Sequence, residues 1–245
     1  VFGFLTHMYM LTNKLPNWDD VNNFSGVGVS SLYGRWLLDV LDPLGEKFSN
    51  PWINGSLAIF ILGLVCCVVY ASLALKSVVS AVLVSGILMT FPSLAGTMCY
   101  MFTVDLYACG LLLACLGAYV LRRFRYGFFP AFFLFILCLG VYQSYICFSI
   151  SLLVFGLLSD LLHGRDEKKV FLDGCKAVGA LLGAILVYLP LSFSLNPMMK
   201  VEGQNGIGNM SDNLSALVLL KQFLRTFKRL SEYWVFKPVS FVSAG

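Results

Sequence analysis

Two adjacent carboxylates, Asp19 and Asp20, stand in the sequence Asn17-Trp18-Asp19-Asp20, a few residues after an apolar run that ends near Leu11. They belong to a long polar interruption, residues 12–51, in an otherwise apolar chain. A carboxylate can accept the proton of an attacking hydroxyl, which is the general-base step of many group transfers. Because two carboxylates this close repel each other, we expect one base and one partner that forms a hydrogen bond or orients a metal ion. Adjacent Asp residues in a loop are also common turn or helix-capping groups, and this alternative stays open.

The composition places these carboxylates in a membrane protein. Of 245 residues, 58% are hydrophobic and 12% are charged, and the mean hydropathy is +0.81. These values are outside the usual range of soluble globular domains, so we predict an all-α, polytopic helical membrane protein. The formal net charge of +4 is small and spread along the chain, so we interpret the basic residues as signals of membrane topology. No nucleic-acid partner is predicted. The eight cysteines lie in or beside apolar runs and are expected to be small hydrophobic side chains.

The apolar runs predict one integral-membrane domain over residues 1–245. Residues 1–11 are too short to cross a hydrocarbon core of about 30 Å, so we expect the end of a span whose beginning is missing, in a longer protein. The stretch 126–159 fits either a hairpin of two short helices or one tilted helix. The predicted segments are spans at 57–75, 77–95, 98–121, 127–141, 143–160 and 177–193, with outer loops at 12–51 and 194–236.

Two basic clusters, residues 122–125 and 165–169, set the predicted orientation. The positive-inside rule places such clusters in the cytoplasm. With both clusters inside, the stretch 126–159 must be a hairpin, and the long polar loops lie outside. We therefore expect the active site on the extracytoplasmic face.

Two amphipathic segments are predicted to lie on the outer membrane surface as interfacial helices. The first begins near Ser31 and has Arg35 on its polar side; the second covers residues 217–234 and has a basic face. A solvated charged face without a binding role is the alternative for the second segment. The first helix would pack beside the Asp19–Asp20 loop.

Five further side chains are candidates for substrate binding. Arg35, on the predicted interfacial helix beside the Asp pair, is the nearest candidate to bind a phosphate. Asp105 lies about 10 Å along a predicted span from its outer end. Because a carboxylate is costly to bury in a membrane, this position suggests a functional role; a water-facing structural role is the alternative. Tyr142, Gln143 and Tyr145 form the predicted hairpin tip and either line a sugar site or anchor the interface.

The sequence does not indicate a cofactor. His7 and His163 are the only histidines; His7 is expected to be a packed, hydrogen-bonded residue, and His163 falls on the predicted cytoplasmic side, so no metal-ligand cluster is predicted. No Gly-rich strand-to-helix turn of the kind that cradles a nucleotide phosphate occurs. Since nucleotide sugars are cytoplasmic, an enzyme of the outer face would need an activated donor carried by lipid.

Three motifs stand out in the polar connections. They are Leu-Thr-Asn-Lys-Leu-Pro-Asn-Trp-Asp-Asp at 11–20, Ser-Leu-Tyr-Gly-Arg-Trp at 31–36 and Gly-Val-Tyr-Gln-Ser-Tyr at 140–145. Together they resemble the GtrII family of glucosyltransferases, within the GT-C superfamily. The resemblance covers most of residues 1–193 and implies a GT-C-like enzyme of the bacterial cytoplasmic membrane. Such enzymes transfer a sugar, typically glucose, from a polyprenyl-phosphate donor to a surface glycan such as the O-antigen of lipopolysaccharide. It also implies that Asp19 and Asp20 are the catalytic acidic residues of the first outer loop, and that the family carries further spans.

A transporter or lipid flippase is the alternative of another class. Such proteins typically show inverted repeats, broken helices and charges near the middle of the bilayer. This sequence shows no repeat and a single well-placed intramembrane acid, Asp105. A non-catalytic scaffold would leave the Asp pair and the long outer loops unexplained, so the sequence favours a membrane glycosyltransferase.

Overall fold

The structure, a computed structural model, describes residues 1–13, 34–41, 50–195, 220–221 and 223–228. The chain forms two compact units, Val1–Met198 and Met199–Gly245. In the second unit, residues 220–221 and 223–228 are helical, and the rings of Phe223 and Phe227 stack. All described residues up to 195 belong to the first unit.

All regular structure in the described residues is helical. In chain order the helices are α1 (Phe2–Thr12), α2 (Trp36–Leu41), α3 (Pro51–Ser72), α4 (Val78–Met89), α5 (Pro92–Met98), α6 (Val104–Arg123), α7 (Phe128–Val141), a 3-10 turn (Gln143–Tyr145), α8 (Ile146–Leu162) and α9 (Glu167–Leu195). Four helical stretches are long and apolar enough to cross a membrane: α3, α6, the 3-10 turn with α8, and α9. Helices α4 and α5, bent by 53° at their break, would together make a fifth. The prediction of an all-α polytopic membrane protein is therefore confirmed.

Several helix bounds differ from the predicted spans. The segment 77–95 is divided, because Pro92 has a fixed φ and no N–H and so begins α5, while Phe91 before it is extended. Helix α9 is longer than the predicted span 177–193 and continues through Pro190. Two helices, α7 and α8, occupy the stretch 126–159. Of the first predicted interfacial helix, α2 is described, and residues 31–33 and 42–44 lie outside the described part of the chain.

Helix α6 lies at the centre of the first unit and packs against α3 and α7. Its buried residues include Gly110, Ala114 and Gly117, and such small side chains let helix backbones approach closely in membrane bundles. Buried Ser149 of α8 donates its hydroxyl hydrogen to the carbonyl oxygen of Ala114 over 2.9 Å, so this polar group is satisfied inside the apolar core. Close packing against several helices therefore fixes the position of α6 within the first unit.

The bundle has two ends, which we name by their arginines. At the Arg122 end, α3, α6 and α8 finish and α9 begins; Arg122 Nη2 lies 3.1 Å from Asp160 Oδ2 of α8. At the Arg35 end, α6 and α8 begin and α7 and α9 finish. Within residues 1–13, 34–41 and 50–195, eight of the nine Lys and Arg residues lie at the Arg122 end, and Arg35 is the ninth. In this described part of the chain, the basic side chains are therefore concentrated at the Arg122 end.

Helix α1 finishes at the Arg35 end. Its buried Leu11 packs directly against Gly55, in the first turns of α3, while α3 finishes at the Arg122 end. Buried His7 has its Nε2 2.9 Å from the carbonyl oxygen of Met89. A carbonyl only accepts, so this nitrogen carries the proton, and His7 satisfies one of the last carbonyls of α4.

Candidate active site

Arg35 is held by two tyrosines from different helices. Its Nη1 donates a hydrogen bond of 3.0 Å to Tyr107 Oη, in the first turn of α6. Its Cζ lies 4.6 Å from the ring centroid of Tyr142 and 6.0 Å from that of Tyr107. A cation over an aromatic face gains about 0.5–2 kcal/mol, more where water is excluded. The half-buried guanidinium is therefore oriented before any ligand arrives.

A row of aromatic rings continues from this arginine. The centroids of Tyr107 and Tyr142 are 5.4 Å apart, and those of Tyr142 and Tyr145 are 5.0 Å apart at an interplanar angle of 63°. Tyr100 lies edge-on to Tyr107 at 6.4 Å. Tilted and edge-to-face pairs at these distances are favourable contacts of aromatic rings. The row gives the Arg35 end an aromatic surface with hydroxyl groups at its edges.

The third part of the site is a chain of hydrogen bonds that fixes the backbone just before Arg35. Gln143 Nε2 donates to Tyr188 Oη over 2.8 Å, and Tyr188 Oη donates to the carbonyl oxygen of Gly34 over 2.9 Å. Gly34 has φ +76°, and an added Cβ would lie 2.5 Å from Tyr188 Oη and 2.9 Å from Ser192 Oγ. A side chain at residue 34 would therefore be strained and would also collide, so glycine is needed here.

Local sequence explains why these groups meet. Helix α7 finishes at Val141, and Tyr142 is extended with φ −156° and ψ 112°, so the chain turns before the 3-10 turn begins. Gly140 lets the indole of Trp36 lie against α7, because an added Cβ would be 2.7 Å from Trp36 Cε2. Trp36 follows Arg35 directly in the chain. The close approach of α2 to the end of α7 therefore places Arg35 over the ring of Tyr142.

The structure brings together four of the side chains predicted from the sequence, namely Arg35, Tyr142, Gln143 and Tyr145. It does not bring Asp105 to them: no hydrogen bond, ion pair or ring contact between described residues joins Asp105 to this group. Asp105 and Tyr107 are two residues apart on α6, so their side chains point about 200° apart around the helix. Half-buried Asp105 lies in the first turn of α6, where a negative charge interacts favourably with the helix dipole.

Asp19 and Asp20 lie outside the described residues, within the segment 14–33. The residues on either side of that segment are described. Asn13 follows α1, which finishes at the Arg35 end, and Gly34 is hydrogen-bonded to Tyr188 at the same end. The segment with the two carboxylates therefore begins and ends at the end of the bundle where Arg35 lies.

Tyr107 and Tyr188 were not predicted from the sequence. Both lie within two turns of the Arg35 end of a long apolar helix, and Tyr188 is buried at 6% exposure. Tyrosine is enriched near the ends of membrane spans, which is the signal that could have singled them out. Among the residues that the structure describes, no group of three or more His, Cys, Asp and Glu side chains could hold a metal ion.

A family model described as Glucosyl transferase GtrII matches residues 8–244. The match continues past residue 193, where the motif resemblance weakens, and so includes the second unit. No curated protein and no solved structure gives a significant match to the chain. A match over nearly the whole length shows that the chain belongs to the GtrII family of glucosyltransferases.

Proposed function

We propose that this membrane glucosyltransferase takes glucose from a polyprenyl-phosphate donor and transfers it to a surface glycan on the extracytoplasmic face of the bacterial cytoplasmic membrane. The observation that carries the proposal is the position of Arg35. Its guanidinium is oriented by Tyr107 and Tyr142 at the end of the bundle where the segment with Asp19 and Asp20 begins and ends. A fixed cation at the end of the bundle to which a segment with two carboxylates is attached suits the transfer of a sugar from a phosphate.

The charge distribution supports an extracytoplasmic site. The Arg122 end holds eight of the nine Lys and Arg residues in the described part of the first unit. Basic residues beside membrane spans are retained in the cytoplasm, so the Arg122 end is the cytoplasmic one. The Arg35 end then faces outward. A soluble nucleotide sugar is absent on that side, and a lipid-linked donor is the activated sugar that can reach it.

The proposed reaction is a displacement at the anomeric carbon of the donor. An acceptor hydroxyl oxygen forms a bond to this carbon while the carbon–oxygen bond to the phosphate breaks. The hydroxyl proton passes to Asp19 or Asp20, and the phosphate leaves with the electron pair of the broken bond. Arg35 donates hydrogen bonds to the phosphate oxygens, on which negative charge develops.

The aromatic row and Gln143 are proposed to position the sugar. Tyr142 and Tyr145 present ring faces and edges beside Arg35, and sugar C–H groups pack well on such apolar surfaces. Gln143 donates through its Nε2 to Tyr188, and its amide oxygen, which has two lone pairs, is the atom proposed to accept a bond from a sugar hydroxyl. This arrangement would place the glucose between the phosphate and the attacking hydroxyl.

The test is a comparison of donors with purified protein in liposomes that also contain the acceptor glycan. We expect glucose transfer from polyprenyl-phosphate glucose and none from UDP-glucose. Arg35→Lys keeps the charge but removes the planar guanidinium, which can donate two parallel hydrogen bonds, and should lower transfer strongly, whereas Arg125→Lys at the other end should not. Transfer from UDP-glucose would contradict the proposed donor. Movement of the lipid donor across the bilayer without transfer would favour a flippase instead.

A further inference from the structure

A second polar region lies at the Arg122 end, away from Arg35. It is a cavity of about 460 Å³ where α3, α6 and α8 finish and α9 begins. Five basic and two acidic side chains line it, which is a formal excess of three positive charges. Much of the remaining wall is apolar and includes Leu152, Leu153 and Leu157 of α8. The cavity therefore combines a cationic part with a hydrocarbon surface.

Four of the charged side chains form one network of ion pairs. Asp160 Oδ2 lies 3.1 Å from Arg122 Nη2 and 2.8 Å from Arg165 Nη1. Arg165 Nη2 in turn lies 2.8 Å from Asp173 Oδ2. The hydrogen bond to Asp160 raises the pKa of Arg165 above its usual value, so this guanidinium stays charged. Two cations and two anions cancel, and the network contributes no excess charge.

The excess comes from the other three cations, Lys76, Arg123 and Lys176. Within the described residues, no ion pair joins any of them to a carboxylate. Lys176 Nζ makes a long hydrogen bond of 3.5 Å to the carbonyl oxygen of Leu121, and an ammonium has two further N–H donors. Three positive charges from α6, α9 and the α3–α4 connection therefore border one cavity without a counter-ion from the described chain.

We propose that this cavity binds the phosphate of an anionic phospholipid, with an acyl chain of the lipid along the leucines of α8. Phospholipid phosphates lie at the level where membrane helices end, and basic pockets between helices there bind anionic head groups. The apolar wall distinguishes the lipid from free phosphate, because inorganic phosphate has no group that gains from leucine side chains. On α8, Leu158 and Leu161 are 50% and 44% exposed, so this helix also presents apolar side chains outside the cavity.

The test measures lipid affinity of the full chain and of two charge-matched variants. The site variant carries Lys76→Gln, Arg123→Gln and Lys176→Gln. The control variant carries Arg125→Gln, Lys168→Gln and Lys169→Gln, which removes the same three charges at the same end from residues that do not line the cavity. Phosphatidylglycerol is titrated into each detergent-purified protein and counted by native mass spectrometry, with phosphatidylcholine as the uncharged reference and inorganic phosphate as a competitor.

We expect the unchanged protein to retain phosphatidylglycerol in preference to phosphatidylcholine. The site variant should bind phosphatidylglycerol at least about tenfold more weakly, since each cation near a lipid head group contributes measurably to affinity. The control variant should bind within about twofold of the unchanged protein. Equal losses in both variants, or no preference over phosphatidylcholine, would overturn the proposal. Displacement of the lipid by inorganic phosphate at similar concentration would show a free-anion site and equally overturn the lipid assignment.

Discussion

Arg35 and Tyr107, 72 residues apart in the sequence, are joined by a hydrogen bond of 3.0 Å from Nη1 to Oη. This bond connects the residue before α2 to the first turn of α6, which is the central helix of the first unit. An arginine oriented in advance loses little conformational freedom when it binds an oxyanion, and so binds it more strongly. Tyr107 therefore allows the role of Arg35 to be tested without any change to the arginine.

Tyr107→Phe removes the hydroxyl and keeps the ring. A hydrogen bond to a charged group contributes about 1.5–3 kcal/mol, and about 1.4 kcal/mol corresponds to a factor of ten in rate. If Arg35 binds the donor phosphate, we expect kcat/KM for the lipid donor to fall by about tenfold or more in this variant. The measurement is the initial rate of glucose transfer at several donor concentrations.

Tyr119→Phe is the matched control for Tyr107→Phe. Tyr119 lies on the same helix, three turns nearer to the Arg122 end, and packs edge-on against Phe124. We expect unchanged transfer rates in this variant. Equal rates in Tyr107→Phe and Tyr119→Phe would mean that the orientation of Arg35 is irrelevant to catalysis.

Gly34→Ala tests the backbone that carries Arg35. Gly34 and Gly164 both have positive φ, +76° and +72°, but a Cβ on Gly34 would meet Tyr188 and Ser192, while nothing lies within 4 Å of one on Gly164. Left-handed backbone costs an alanine about 1–2 kcal/mol, so both Gly34→Ala and Gly164→Ala should unfold at lower temperature. We expect only Gly34→Ala to lose transfer activity in addition. Full activity in Gly34→Ala, measured below its unfolding temperature, would show that the backbone conformation at Gly34 is not needed for catalysis.

Much of the fold was predictable because a membrane imposes simple rules on the sequence. Apolar runs of span length and flanking basic residues identify helices such as α3 and α6. The bounds of α4, α5 and α9 were not predicted, because the same residue type begins one helix at Pro92 and is accepted within another at Pro190. A proline within a membrane helix leaves a backbone carbonyl without its usual N–H donor. Whether the helix continues depends on whether neighbouring groups supply another donor, and the sequence pattern does not contain that information.

The candidate site was predictable only in part. The sequence predicts Arg35 as a phosphate-binding cation and Tyr142, Gln143 and Tyr145 as the tip of a hairpin, and the structure places the four together. Tyr188 reaches the site from a helix 154 residues after Gly34, through a buried hydrogen bond. Contacts between residues so far apart in the sequence depend on how the helices pack, so local sequence patterns do not predict them.

The orientation of the bundle is tested by accessibility of single cysteines in a variant that lacks the eight native ones. We expect a cysteine at Asn22 to react with a membrane-impermeant reagent in intact cells, and one at Lys168 to react only after the membrane is opened. The reason is the concentration of basic residues at the Arg122 end, which includes Lys168. The reverse pattern would place Arg35 in the cytoplasm and contradict the proposed outer site.

Asp105→Asn tests the intramembrane carboxylate that the structure places apart from Arg35. The change keeps the size and polarity of the side chain in the first turn of α6 and removes its charge. We propose that Asp105 binds substrate from its own side of α6, so transfer should fall by at least about tenfold in a variant that is still folded and inserted in the membrane. Asp166→Asn, a helix-start aspartate at the Arg122 end, is the control. Wild-type transfer in Asp105→Asn would assign Asp105 a structural role.

Asp19→Asn and Asp20→Asn test the proposed general base directly. Each change keeps the size and polarity of the side chain but removes the basicity, and loss of general-base assistance typically lowers a rate by about 10²- to 10⁴-fold. We expect one single variant to be nearly as inactive as the double variant, because residues that act as a unit are not additive. Donor binding should persist in that variant, since Arg35 and the aromatic row are unchanged, and Asp212→Asn in the other long polar loop should transfer normally. Undiminished transfer by the double variant would remove both carboxylates from the mechanism, whereas loss of donor binding would assign them to substrate recognition.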